Sequence, residues 1–292
     1  MMHKTVLLTE TVAGLKLKEG DTAVDATVGL GGHAEKMLEM IGKEGTLLMI
    51  DADQTSIATT RERLAGAGGN LIYLVGNFRN LKELAREAGI DEAQGIVFDL
   101  GWHAAQLSGG KGISFKADEP LDMRLGGGEV TAADIIAGWD EDDLATLFRE
   151  YGEERFAGRI ARTIVERRSM QPIENSLDLA AVIASAVPAF ARRGRLNPAT
   201  RTFQALRIAV NDELEALKEG LAGALDLLSS GGRVAVISFH SLEDRIAKQT
   251  FRAAEQGGVG RRVTKKPIVP AREEVVRNPR ARSAKLRIFE KI

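Results

Sequence analysis

Through its first hundred residues the chain alternates between short apolar runs and stretches whose apolar positions recur every three or four residues. The runs "TAVDAT" (22–27), "GTLLMIDAD" (45–53), "LIYLVGNF" (71–78) and "GIVFDLG" (95–101) each predict a buried strand. Between them "HAEKMLEMI", "SIATTRERLA" and "LKELAREAG" predict amphipathic helices. Strands alternating with helices imply parallel strands joined by crossover helices, so the expected fold is α/β, a doubly wound sheet. Ligands on such sheets bind beyond the carboxyl ends of the strands. The residues at those ends are Asp25 to Gly32, Asp51, Asn77 to Phe78, and Asp99 to Gly101.

After residue 101 the pattern changes. "GGKGISF" and "RLGGGEV" are loop-like, and from Thr131 to about Asn211 the periodicity is helical throughout. Ser176, followed by Asp178 and an apolar run, predicts a helix N-cap. Strand and helix then alternate again: "ELEALKEGLAGALDLL" is helical, "GGRVAVISFH" (231–240) a strand, "SLEDRIAKQTFRAA" helical and "AKLRIFEK" (284–291) a last strand. A helical block therefore interrupts one α/β domain. The expected division is 1–108 with 212–292 for the sheet domain, and 109–211 for an inserted α-helical, substrate-binding domain. Residues 256–283, rich in Gly, Pro and Arg, are expected to be extended and mobile.

Composition narrows the function classes. No apolar run approaches the roughly 18 residues a membrane span needs, and the N-terminus lacks a signal-peptide pattern. With no cysteine in the sequence, thiolate metal sites are excluded and a reducing, cytoplasmic location is expected. The four histidines are scattered, so no metal site is expected. The net charge of −1 hides a division: residues 1–154 hold 14 Lys+Arg against 27 Asp+Glu, and residues 155–292 hold 26 against 14. A basic half of this kind suits a polyanionic partner.

The stretch "AVDATVGLGGHAEKML" carries the most chemical information. Gly29, Gly31, Gly32 and Ala34 satisfy a G-x-G-x-x-G/A turn between a strand and a helix, and Asp51 lies 20 residues past Gly31 at the next strand end. Both features suit a dinucleotide. They suit S-adenosylmethionine equally, whose ribose hydroxyls also seek a carboxylate. Two residues favour the methyl donor. Asp25, just before the turn, would receive the methionine ammonium and repel a pyrophosphate, and Asp99 brings another acid to the site.

The chain also resembles, along nearly its full length, the bacterial small-subunit (16S) ribosomal RNA cytosine-N4 methyltransferases. The resemblance rests on "HKTVLLTE", "VDATVGLGGHA", "LLMIDAD", "GNFRNL", "FDLG", "DEPLDMR", "YGEERFAGRIARTIVERR", "NPATRTFQALRIAVNDELEAL", "GGRVAVISFHSLEDRI" and "NPRARSAKLRIFEK". It implies a class I S-adenosylmethionine-dependent methyltransferase domain, Rossmann-like, with a helical insertion. It implies that Gly31, Gly32 and His33 form the cofactor loop, that Asp51 meets the ribose, that Phe78 lies beside the adenine, and that Asp99 and Gln106 make further cofactor contacts. The resemblance breaks at one place: where the family reads D-L-G-V-S-S-P-Q-L, this chain reads "DLGWHAAQL". Trp102, His103, Ala104 and Ala105 replace Val-Ser-Ser-Pro, with its two hydroxyls, in a loop expected to face the target base.

The reaction this implies is in-line transfer of a methyl group to an exocyclic amine, with catalysis resting on alignment and on an acceptor for the amine's N–H. Asp99 and His103 are the candidate catalytic residues, and Trp102 is a candidate stacking face. Arg201, Arg207, Arg277, Arg280 and Arg282 are candidate RNA contacts, since phosphate contacts position a nucleic acid without reading its sequence. The expected partners are small-subunit ribosomal RNA and the small ribosomal subunit. No membrane partner is expected, and a homodimer is left open. Two other readings stand beside this one: a NAD-dependent enzyme, and a cofactor-binding ribosome-assembly protein whose catalysis was altered or lost with the 102–105 change.

Overall fold

The computed structural model describes residues 4–102, 109–125, 128–192 and 197–292. They fall into two compact units, one of Met1–Gly101 with Leu214–Ile292 and the other of Trp102–Glu213. In the first unit α1 (Leu8–Leu15) is followed by β1 (Thr22–Asp25), α2 (Gly32–Ile41), β2 (Thr46–Asp51), α3 (Gln54–Arg63), β3 (Asn70–Val75), α4 (Leu81–Glu87) and β4 (Ala93–Asp99). The second unit contains α5 (Ala132–Gly138), α6 (Glu141–Glu150), α7 (Ala157–Met170), α8 (Ser176–Ala186), α9 (Ala189–Arg192) and α10 (Thr200–Asn211). The chain re-enters the first unit along α11 (Glu213–Leu227). It ends with β5 (Leu228–Ser238), α12 (Ser241–Gln256), β6 (Gly260–Arg262), α13 (Arg272–Arg277) and β7 (Lys285–Lys291).

The seven strands form one sheet in the order β3-β2-β1-β4-β5-β7-β6. The first five are parallel, and β7 runs antiparallel to both β5 and β6. The central strands read as unbroken apolar runs because helices cover both faces. Val24, Leu48, Ile50, Ile96, Phe98, Val234 and Val236 enter one core. Their neighbours Ala23, Leu47, Met49, Val97, Ala235 and Ile237 enter the other, as the two-residue period of a strand requires. Register then fixes where the acids lie. Asp25 pairs with Val97, Asp51 with Val75 and Asp99 with Ile237, so each carboxylate stands at the C-terminal margin of its strand.

The second unit is all helical, around a core that includes Ile135, Phe148, Ile160, Leu179, Phe203 and Leu206. It starts before residue 109 because Trp102 packs against that core. Three of its helices, α5, α6 and α8, begin on side-chain caps. Thr131 and Asp134 form a reciprocal capping box, and Asp140 accepts from the backbone N–H of Asp143. The cap of α8 is Asn175, not Ser176 as expected: Asn175 Oδ1 accepts from Asp178 N at 2.8 Å. The Ser176 hydroxyl instead donates to the Ala117 carbonyl at 2.5 Å, tying the preceding loop to the helix. Asp212, at φ +47°, ends α10 in a left-handed turn and separates it from α11.

The segment 256–283 corrects an expectation. It is not extended throughout, but holds β6, α13 and a 3-10 turn at Pro279–Ser283. Glu274 accepts from the Leu7 backbone N–H at 2.8 Å, Asn278 donates to the Lys4 carbonyl at 2.9 Å, and Ile268 bridges to Leu286. The first two of these bonds join segments at opposite ends of the chain, and local composition cannot show them.

Candidate active site

Five segments of the first unit converge at the carboxyl ends of β1, β2, β3, β4 and β5. After β1 the chain turns through Gly29 and Gly31, at φ +51° and +79°, into α2. Gly31 is the left-handed N-cap of that helix, a conformation in which a side chain is strained. At Gly32 the constraint is space: a Cβ there would stand 1.8 Å from Thr5 Oγ1. Helix α3 holds the turn from its other side. The Thr60 hydroxyl donates to the Gly29 carbonyl at 3.0 Å and Arg63 to the Leu30 carbonyl at 2.9 Å.

Three carboxylates frame this turn. Asp51 Oδ2 accepts from Gly29 N at 2.8 Å and Oδ1 from Asp53 N at 2.9 Å, so the same side chain that ends β2 shapes the glycine loop. Burial raises its pKa to about 6 despite those two bonds. Asp25 is 1% exposed. Its Oδ1 accepts from Thr27 N at 3.2 Å, and its Oδ2 is buried with no hydrogen-bond partner. Burial, with the neighbouring charges of Asp99 and Asp51, pushes Asp25 up to about 8. Asp99 is positioned through its own backbone N–H, which donates to the Thr27 hydroxyl at 2.6 Å. Burial and the nearby Glu243 raise it to about 7. Among the described residues, no Lys or Arg side chain pairs with any of the three.

His33, in the first turn of α2, is buried with Nδ1 3.6 Å from Asp99 Oδ2. Phe78 opens a 3-10 turn after β3 and meets Phe98 edge-on, with ring centroids 5.7 Å apart. A Cβ at Gly220 of α11 would come within 2.9 Å of its ring, so that helix approaches it closely. Gly31, Gly32, His33, Asp51, Phe78 and Asp99 are thus brought together at one edge of one sheet. Gln106 and His103, with Ala104 and Ala105, lie outside the described residues.

Two neighbours of this site were not singled out from the sequence. Thr27 joins β1 to β4 through its hydroxyl. Glu243 is 4% exposed and forms a capping box with His240 at the start of α12, accepting from the backbone N–H groups of Phe239 and His240 at 2.7 and 3.2 Å. The spacing of His240 and Glu243 directly after a strand was the readable signal, since it places a cap residue three positions before a Glu.

The basic candidates separate by environment. Arg277, Arg280 and Arg282 are exposed and form no ion pair with the described residues. Arg201 is exposed, with one donor on the Glu153 carbonyl at 3.0 Å. Arg207 differs from all of these. Its guanidinium makes two 2.8 Å bonds to Glu213, is 16% exposed, and lies 4.9 Å from the Trp102 ring centroid. That fork is already filled by a carboxylate, so Arg207 orders its own unit and offers no free cation to phosphate. Trp102 likewise has one ring face covered by Arg207 while it packs on the helical core.

Comparison with known proteins decides the family. The model of the MraW methylase family matches residues 1–292. The chain belongs to the MraW methylase family. It is 43% identical to "Ribosomal RNA small subunit methyltransferase H" of Brevibacillus brevis, over 99% of this chain and 98% of that one. The solved structure of PH0851 matches with a TM-score of 0.51 at 13% identity, covering 100% of this chain and 47% of that one. An rRNA methylase of Streptococcus thermophilus matches with a TM-score of 0.46 at 12% identity, over 100% and 99% of the two chains. Membership makes this an S-adenosylmethionine-dependent methyltransferase with the class I, Rossmann-like fold, and the nicotinamide reading falls away. The residues at the strand ends fit that cofactor on physical grounds. It carries a sulfonium, an ammonium and two ribose hydroxyls, all of which suit carboxylates that lack a Lys or Arg partner among the described residues, one of them with a buried oxygen that has no hydrogen-bond partner. A pyrophosphate would meet the same three acids with repulsion.

Proposed function

We propose that the protein methylates N4 of a cytidine in small-subunit (16S) ribosomal RNA, in the cytoplasm and on the small subunit or its RNA. The end-to-end match to a relative named for the small-subunit RNA carries this reading. Asp25 would receive the methionine ammonium and Asp51 the ribose hydroxyls. Gly31, Gly32 and His33 would hold the amino-acid part against the loop, and Phe78 would lie beside the adenine, with Asp99 and Gln106 adding contacts. When bound, S-adenosylmethionine supplies a methyl group already activated by the adjacent positive sulfur. What remains for the protein is alignment and proton handling. Asp99 is suited to accept the N–H of the cytosine amine as charge develops on nitrogen, being half-buried, fixed by Thr27 and free of any Lys or Arg partner among the described residues. His103 is the second candidate for that proton. The helical unit 109–211, with its arginines, would carry substrate RNA together with Arg277, Arg280 and Arg282.

The deciding experiment is methyl transfer from labelled S-adenosylmethionine to small subunits lacking the modification, followed by nucleoside analysis. N4-methylcytidine is the expected product. Cofactor binding with no transfer to any small-subunit substrate would instead favour the assembly-protein reading. Sedimentation of the same preparation, with a mass of 63 kDa or of 31.5 kDa, decides between a homodimer (about twice the chain) and a monomer.

A further inference from the structure

The second unit carries an aromatic and cationic cluster that the methyl-transfer site does not use. Phe190, in α9, is 71% exposed. Phe156, at the start of α7, is half-buried against the helical core, and the two rings meet edge-on with centroids 6.3 Å apart. The Arg155 guanidinium lies over both, 4.5 Å from the Phe156 centroid and 5.7 Å from that of Phe190. Arg155 is exposed and makes no ion pair with the described residues, and Arg159, four positions on, likewise makes none.

A lone exposed phenylalanine is ordinary on a protein surface. This one is not alone. Phe156 anchors the cluster to the core, Arg155 is laid across the rings, and neither Arg155 nor Arg159 pairs with an acid among the described residues. Packing for stability alone would turn the Phe190 ring inward. A surface for a protein segment would be more apolar and would pair its charges. An aromatic face with the Arg155 guanidinium laid over it, and a second arginine four positions on, matches the chemistry of an unpaired nucleotide, which offers a π-face to stack and a phosphate to bind.

We propose that Phe190, with Arg155 and Arg159, is a stacking site for one unpaired base of the RNA substrate. The base lies on the exposed ring of Phe190, and its flanking phosphates are met by the two arginines. The site holds single-stranded RNA without reading its sequence, because every base has a π-face. This inference rests on the reading of the substrate as RNA given above.

Stacking and phosphate contacts leave different signatures, so the full-length protein can be tested with a fluorescein-labelled single-stranded RNA by anisotropy over a series of KCl concentrations. Phe190→Ala should weaken binding about tenfold with the salt slope unchanged, since no counterion is released by a ring. Arg159→Ala should weaken binding and lower the slope by about one. Phe190→Trp should restore affinity, and its added indole fluorescence should be quenched by RNA. S-adenosylmethionine affinity, equal in all variants, shows that they are folded. Wild-type affinity in Phe190→Ala, while the wild type binds RNA and methylates small subunits, overturns the stacking site and leaves the proposed function standing. A wild type that neither binds RNA nor methylates it overturns both. Loss of a dimer in Phe190→Ala at unchanged RNA affinity also overturns the proposal and assigns the ring to self-association.

Discussion

At the scale of single residues, the site holds its charges in tension with its fold. Asp25 has a pKa of about 8 in the folded protein against 3.8 as its ordinary value. The folded chain therefore keeps a proton that the unfolded chain loses, and Asp25's contribution to stability is greatest below pH 4 and is lost as pH rises toward 8. Asp25→Asn removes this dependence. Its melting temperature should exceed that of the wild type at pH 8 and differ less at pH 5. The same variant should bind S-adenosylmethionine more weakly, because a neutral amide replaces the carboxylate for the ammonium. Thermal melts across pH, paired with calorimetry, check both halves, and equal cofactor affinity would remove Asp25 from the site. Asp51→Ala should cost roughly 1.5–3 kcal/mol of cofactor binding for each charge-assisted bond removed, and it also leaves the Gly29 N–H without its acceptor. If Asp99 accepts the amine proton, turnover should rise with pH through about 7, where its carboxyl ionises, and Asp99→Asn should flatten that limb. The acids at the strand ends were legible in the sequence because an acid closing an apolar run is conspicuous. The partnering of Arg207 was not. Glu213 follows it by six positions, which no single helix brings together, and the pair forms because the left-handed turn at Asp212 breaks the helix between them.

At the scale of elements, the glycine loop depends on a neighbour that no local motif records. Gly32 is required less for its backbone freedom than for the space occupied by Thr5. Gly32→Ala should destabilise the first unit by about 1–3 kcal/mol, as overpacking does, and should weaken cofactor binding by shifting the loop. Thr5→Ala removes the hydroxyl in the way, though a methyl carbon remains at about the position of Thr5 Cβ, 3.0 Å from the new group. Combining the two should recover part of the loss. A denaturation cycle of the four proteins measures the coupling, and additivity of the two changes would disprove the steric account. Elements in the parallel part of the sheet were legible because burial on both faces leaves long apolar runs. The cap of α8 was misplaced by one residue because Asn and Ser both serve as caps, and the choice was made by a distant carbonyl, that of Ala117. The ordered segment before β7 was hidden for a related reason. Its Gly, Pro and Arg content favours a loose chain, whereas its order comes from hydrogen bonds to the first residues of the protein.

At the scale of the whole molecule, the excess of positive charge after residue 154 does not translate directly into RNA-binding surface. Several of its basic side chains are already committed to ion pairs within the first unit. Arg233 and Arg261 share Glu290, Arg262 pairs with Glu255, and Arg287 and Lys285 share Asp244. Near the end of the chain, Arg287 is 7% exposed in such a pair, whereas Arg280 and Arg282 are exposed and lack ion-pair partners among the described residues. The two kinds of arginine should therefore fail differently. Arg287→Ala leaves the half-buried Asp244 carboxylate with one cation fewer; its pKa is held below its ordinary range by Arg287 and Lys285 against the opposing effect of burial. It should lower stability by less than the about 3–5 kcal/mol of a fully buried pair, since Asp244 is half-buried and Lys285 remains, with the loss shrinking as pH falls and Asp244 takes up a proton. Reversing Arg280 and Arg282 to Glu should leave the melting temperature nearly unchanged. It should weaken binding to small-subunit RNA and flatten the dependence of affinity on salt, because every phosphate that is no longer neutralised keeps about one counterion it would otherwise release. Cofactor affinity, measured by calorimetry, should stay as in the wild type. An RNA salt slope that survives the double reversal would move the RNA path away from this segment and leave it to the exposed arginines of the helical unit.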